Sequence, residues 1–162
     1  MQQDENNFYA THQAPAWHEY ANFLIFVKID ENVNVKRWEQ LWCKQIGDKK
    51  FQICCIPFFS YEMDLGDEVE TNEDHIFIRV VKRSGYKTHR IWFGDSFETN
   101  IEEIVDSLKR IGAELEWSSK NLLAVSVSTA NINNEVLKYL SPLHDQGKLI
   151  YESVTREVLS VQ

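Results

Sequence analysis

Cys54 and Cys55 are adjacent, and Cys43 is the third thiol of the chain. Thiols can serve as nucleophiles or metal ligands, but both roles need partners at suitable spacing. Zinc ordinarily takes four ligands held close together. Here the five histidines (His12, His18, His75, His89, His144) are scattered and no C-x-x-C pair occurs. Three thiols cannot all pair, and a bridge between adjacent cysteines is strained. The expectation is three reduced, buried, apolar-packed cysteines, with no metal and no cofactor. His144-Asp145 could orient a base, yet no nucleophile is tied to it by a motif such as G-x-S-x-G. A histidine placed at a helix end by the dipole is the simpler reading. The chain shows no catalytic signature, and a non-enzymatic role is expected.

Charge is patterned more sharply. Between Glu62 and Asp74 lie seven acids (Glu62, Asp64, Asp67, Glu68, Glu70, Glu73, Asp74) and no Lys or Arg. Their spacing lacks the Gly-centred order of an EF-hand loop. Such a run is either a solvated loop or a recognition surface for a basic protein. Phe58, Phe59 and Tyr61 lie just before it, after Pro57. An aromatic loop beside an acidic one has the composition of an interface hot spot with a charged rim. These ten residues are the expected partner surface.

The next stretch has the opposite sign. Arg79, Lys82, Arg83, Lys87 and Arg90 have no acid among them, and Tyr86 and Trp92 are near. Basic and aromatic residues together can hold phosphate and stack bases. They can equally neutralise the acidic run that precedes them. The whole chain has 17 Lys plus Arg against 25 Asp plus Glu, a net charge of -8. That field disfavours nucleic acid and anionic membranes as partners and suits a basic protein. The longest apolar runs, Phe23 to Val27 and Ile53 to Phe59, fall short of the roughly 20 residues a membrane helix needs. The polar, acidic start from Met1 to Asn7 does not resemble a secretory signal. A cytoplasmic protein is expected.

The elements that would position these residues fall into two halves after an aromatic arm at 1–20. Residues 21–88 read as strands. Ala21 to Ile29 is apolar on both faces. Trp38 to Ile46 and Phe51 to Ile56 flank a Gly47 turn, as in a hairpin. Leu65 to Glu70 reads as a turn feeding a short strand, and His75 to Lys82 alternates. Many short strands with Gly turns predict a small, strongly bent sheet or partial barrel.

Residues 89–162 form the other half. After a strand at His89 to Phe93, Ile101, Ile104, Val105, Leu108 and Ile111 repeat at helical spacing. Thr99 with Glu102, or Asn100 with Glu103, can cap this helix, and Gly112 can end it. Ala113 to Trp117 and Leu122 to Ser128 read as a hairpin, with Leu115 and Trp117 turned inward. Asn131 to Leu140 reads as a second helix, with a further turn restarting at Ser141-Pro142. Leu149 to Val154 is a last strand. The fold class is therefore α+β, and the order of elements over 89–154 predicts a ferredoxin-like βαββαβ arrangement.

Several of these pieces together resemble a known family. Leu41-Trp42, Ile56-Pro57-Phe58-Phe59, Leu65-Gly66-Asp67-Glu68-Val69 and the run from Arg79 to Tyr86 are similar to the uncharacterised bacterial domain of unknown function 4265 family, over about residues 21–155. The family brings no activity and no catalytic residues. Its genes often lie near bacterial toxin genes. The resemblance thus implies an immunity role, in which a small acidic protein binds a cognate toxin with a basic surface and occludes its active site. A nucleic-acid or ribosome-associated module using Arg79 to Arg90 is the alternative, and a small enzyme of unknown reaction the second.

Overall fold

The computed structural model describes residues 7–31, 35–94 and 99–154. Strands dominate: β1 (Asn7–Ala10), β2 (Phe23–Glu31), β3 (Lys36–Gly47), β4 (Lys50–Ile53), β5 (Glu68–Thr71), β6 (Phe77–Lys82), β7 (Lys87–Trp92), β8 (Glu114–Trp117), β9 (Leu122–Val127) and β10 (Ile150–Ser153). Two helices, α1 (Ile101–Ile111) and α2 (Ala130–Asp145), complete a mixed α+β fold with two sheets. Among the described residues no helix is long and apolar enough to cross a membrane.

The first sheet is organised by β3, which at twelve residues has room for three partners. β2 runs antiparallel along one edge, from Phe23 opposite Cys43 to Glu31 opposite Lys36. β1 and β4 share the other edge, β1 parallel to it and β4 antiparallel. β5 and β6 continue the sheet from β4. A single bridge from Phe26 to Ile76 then brings β2 back beside the β6 end. The bend encloses one core, with Ile25, Leu41, Cys43, Phe51, Ile53 and Met63 fully buried.

The second sheet has the order β10-β7-β9-β8, and every neighbouring pair is antiparallel. Its strands alternate, so successive residues serve opposite faces. Ile91, Leu123, Val125 and Val127 meet the helices through Ile104, Leu108, Val136 and Leu140. The other face carries Arg90, Ala124, Ser126 and Glu116, all buried. The first sheet's loops cover that face.

Of the two N-caps open to α1, the structure uses Asn100. Its side chain accepts from the Glu103 N–H, while the Thr99 hydroxyl donates to the Lys148 carbonyl. Gly112 ends the helix at φ 109, in the left-handed region that favours glycine.

Three expectations differ from the structure. The arm contains a strand, β1, too short to carry a readable period. The second strand of the hairpin stops at Ile53: the Cys54 N–H still meets the Trp42 carbonyl in register, but the Cys54 carbonyl accepts from the Trp17 N–H and the Ile56 N–H goes to Glu116. α2 runs unbroken through Pro142. Tyr139 and Leu143, on either side of the proline, both pack on the core, and this contact outweighs one lost backbone bond.

Leu108 is fully buried between helix and sheet. Leu108→Ala is expected to cost about 2–5 kcal/mol, read from urea unfolding midpoints, and a cost near zero would contradict this packing.

Candidate functional site

The chain from Ile56 to Ser60 passes between the two sheets without joining either. Buried backbone polar groups must be paired, so side chains have to supply what a neighbouring strand would. Glu39, on β3 and fully buried, takes the donors. Its Oε2 accepts from the Phe58 N–H at 2.7 Å, and its Oε1 from the Phe59 and Ser60 N–H groups at 3.0 Å each. The Ser60 hydroxyl adds a bond to Oε1 at 2.8 Å. Glu116, on β8, accepts from the Ile56 and Ala16 N–H groups. Arg90, on β7, takes the carbonyls, with Nε donating to Phe58 at 2.5 Å and Nη2 to Pro57 and Ser60 at 2.9 and 3.1 Å.

His12 joins the two carboxylates. Pairing of β1 with β3 delivers the arm to this point, and the imidazole stacks on the Phe58 ring at 3.9 Å. Nε2 meets Glu39 at 2.6 Å and Nδ1 meets Glu116 at 2.8 Å. Burial alone would push His12 down. The Cys55 sulfur and the hydrogen bonds to Glu116 and Glu39 outweigh it and push His12 up to about 12. Burial would raise Glu39, but the hydrogen bond and charge of His12, with the loop donors, hold it below the ordinary carboxylate value. Burial pushes all three thiols up, most simply at Cys43 and against the pull of His12 at Cys55. With Cys55 held as a thiol, the charges that keep His12 protonated at neutral pH are those of Glu39 and Glu116.

Cys55, His12 and Glu39 thus stand in the order nucleophile, base, orienter, without the chemistry of a triad. Both ring nitrogens donate to carboxylates, so neither can take a proton from the thiol, and Cys55 has no exposed surface. A second histidine, His89, is held between the Ser153 hydroxyl at 2.5 Å and the Asn133 amide oxygen at 2.6 Å. Burial lowers it. Since the Asn133 oxygen only accepts, Nε2 carries the hydrogen and Nδ1 accepts from Ser153. This trio ties β7 and β10 to α2.

Above Arg90 the surface opens into a groove of about 270 Å³. Phe59, Tyr61, Trp92, Ile150 and Glu152 line it, with Arg90 at the floor. Trp92 and Ile150 are cross-strand partners on β7 and β10, and both are exposed. The Tyr61 ring lies over the guanidinium, 4.5 Å from its centroid to Cζ, and its hydroxyl donates to Glu152 at 2.8 Å.

The ten residues of the expected partner surface do not stay together. Phe58, Asp64 and Asp67 are buried, which corrects their placement on an interface. Phe58 is inside because it stacks on His12. Asp64 accepts from the Thr88 hydroxyl at 2.6 Å. Asp67 accepts from the Asp64 and Ser84 N–H groups at 2.9 and 2.7 Å and from Arg83 at 3.1 Å. Gly66 beside it has φ +83, and a Cβ there would sit 3.0 Å from both Ser84 and Trp17. Glu70 is held by Arg79 at 2.7 Å and Lys50 at 3.4 Å, and Arg79 first, then Lys50, lowers its pKa. Glu73 lies 3.6 Å from Lys49. Glu68 is half-buried, while Glu62 and Asp74 are exposed. Phe58, Phe59 and Tyr61 line the groove, and none of the seven acids does.

The basic stretch divides in the same way. Arg79 and Arg83 pair with the acidic run, and Arg90 is inside. His12, Glu39, Glu116 and Ile150 were not legible as site residues, and Trp92 was marked only as a stacking residue beside the basic stretch. The one available signal was the alternation of Glu114-Leu115-Glu116-Trp117, which puts both acids on the face opposite Leu115. Trp117, expected inward, is 42% exposed.

Fold and site together define a two-sheet α+β domain with a charged, buried junction and an aromatic groove beside it. The chain belongs to the family described as Domain of unknown function (DUF4265), which it matches over residues 39–151. Its fold is similar to a crystal structure of a hypothetical protein from Neisseria gonorrhoeae, at 21% identity and a TM-score of 0.69, over 85% of this chain and 96% of that one. No curated protein matches.

The junction has a pH signature. His12 binds its proton more tightly folded than unfolded, so its contribution is complete below about 6.5 and is lost as pH rises through its raised folded pKa. Glu39 is shifted down from 4.5, so its contribution is complete above that value and is lost as pH falls through the folded pKa. The pair gives most stability between 4.5 and 6.5. Urea midpoints should fall between pH 6 and pH 9. In His12→Gln that fall should largely vanish, with stability lower by about 3–5 kcal/mol because two buried carboxylates lose their cation.

The three cysteines have no exposed surface. Alkylation of the native protein should be limited by unfolding, and rapid stoichiometric labelling without urea would contradict their burial.

Proposed function

We propose that this protein is a cytoplasmic binding module that neutralises a cognate protein toxin by occluding its active site, with the aromatic groove as the contact. The observation that carries this reading is the exposed cluster of Tyr61, Trp92 and Ile150, the last 63% exposed, around a groove edged by Glu152. Exposed large apolar residues of this kind mark contact surfaces, and tryptophan and tyrosine are the usual anchors. A net charge of -8 supports a basic partner and fast encounter with it. The pairing of Arg79 and Arg83 with acidic neighbours, and the burial of Arg90, weaken the nucleic-acid alternative. The commitment of both His12 nitrogens to carboxylates weakens an enzymatic one.

The same reading extends to the fold. In chain order the strands of the second sheet lie 4-1-3-2, with both helices packed in one core on one face. This supports a ferredoxin-like arrangement. The bridge from Phe26 to Ile76 supports a partial barrel for the first sheet. In this arrangement the groove lies at the β10 edge, where the Pro57–Ser60 loop meets the second sheet.

The test is whether a toxin-like reading frame lies beside this gene and, when it is expressed in bacteria, whether this protein lets them survive; the lack of such a neighbour counts against the reading. The wild-type protein should protect. Trp92→Ala with Ile150→Asp should lower protection and weaken toxin binding at least tenfold, with the circular dichroism spectrum unchanged. Full protection by the folded double variant would overturn the assignment of the groove.

A further inference from the structure

We infer that the groove receives a neutral carbonyl oxygen from the bound partner, carried next to one large apolar side chain, and that Tyr61 is the cover that swings aside to admit it. This rests on the groove being the partner site. Arg90 has five N–H donors. Nε and Nη2 are spent on the loop carbonyls, while Nη1 has no partner among the described residues and is sealed from solvent. A buried guanidinium nitrogen without an acceptor is costly, and an acceptor arriving with a ligand removes that cost. The residue is 3% exposed and lines the groove, which offers an incoming acceptor its approach.

Charge selects the kind of acceptor. Arg90 already has the carboxylates of Glu39, Glu152 and Asp64 around it. A carboxylate over Arg90 would add an uncompensated negative charge beside Glu152. A peptide or carboxamide oxygen adds none. Size selects the rest, because about 270 Å³ is small beside the usual ~300–1,000 Å³ of small-molecule sites. It suits one side chain and its flanking peptide, packed against Phe59, Trp92 and Ile150.

Tyr61 is what stands in the way. Its ring covers the guanidinium, yet the residue is 49% exposed and its hydroxyl is held through the bond to Glu152. Rotating the ring out exchanges a cation–π contact for the carbonyl bond and leaves the loop's own hydrogen bonds intact.

The probe is N-acetyl-phenylalaninamide, with N-acetyl-phenylalanine as its carboxylate counterpart, followed through the Trp92 indole and Arg90 Nε–H signals in ¹H–¹⁵N spectra at pH 7. The amide should shift both signals saturably, and the carboxylate should bind at least fivefold more weakly. Tyr61→Phe loses the Glu152 latch and should bind the amide about threefold to tenfold more tightly. Ile150→Asp should abolish the shifts. No saturable shift, equal or tighter binding of the carboxylate, or an unchanged affinity in Tyr61→Phe would each overturn the inference. If the amide fails while toxin protection still depends on Trp92 and Ile150, the partner reading stands without it. If both fail, both fall.

Discussion

A length of backbone that crosses between two sheets without joining either must still pair its N–H and C=O groups. The rest of this structure is arranged around that requirement at Ile56 to Ser60. Glu39 and Glu116 gather the donors and Arg90 the acceptors. Each of these side chains is charged, and each comes from a different strand. Burying such charges is costly unless they are paired and fully hydrogen-bonded. His12 supplies the missing positive charge, and the flat face of Phe58 positions its ring. The two sheets are thereby joined through directional bonds as well as through the small apolar contact of Ile56, Phe58, Leu65 and Ala124.

What the sequence revealed was local. α1 could be read from its apolar period, its caps and its terminal charges, because all of these act within a few residues. The order of strands and helices after Lys87 followed for the same reason. The junction is different in kind. The signal in Glu114-Leu115-Glu116-Trp117 says which residues share a face, and nothing in those four residues says that the other half of the chain will cover the acidic one. The parallel strand β1 has the same difficulty, since four residues carry no period and their partner lies beyond β2.

The acidic run illustrates a second limit. Seven like charges look continuous when written in a line, but a turn and a strand distribute neighbours to opposite sides. Asp67 faces inward and anchors Arg83 and Ser84, and Glu70 faces Arg79 and Lys50 at the surface. The basic stretch that follows is therefore largely the complement of the acidic one. The exposed aromatic groove arises instead where a loop residue, Tyr61, meets a cross-strand pair, Trp92 and Ile150, separated in sequence and joined only by the fold.

The bond between His12 and Glu116 spans 104 positions. During synthesis the arm leaves the ribosome well before its acceptor on β8, which follows 104 positions later. Until then the His12–Glu39 pair lacks its second carboxylate and the Ile56 N–H lacks its acceptor, so the first sheet can close but its junction stays unfinished. Contacts this distant in sequence slow folding, because a long loop must be ordered before they repay it. The arm is thus made long before it is secured, and the two sheets become one cooperative unit only when His12 reaches both carboxylates.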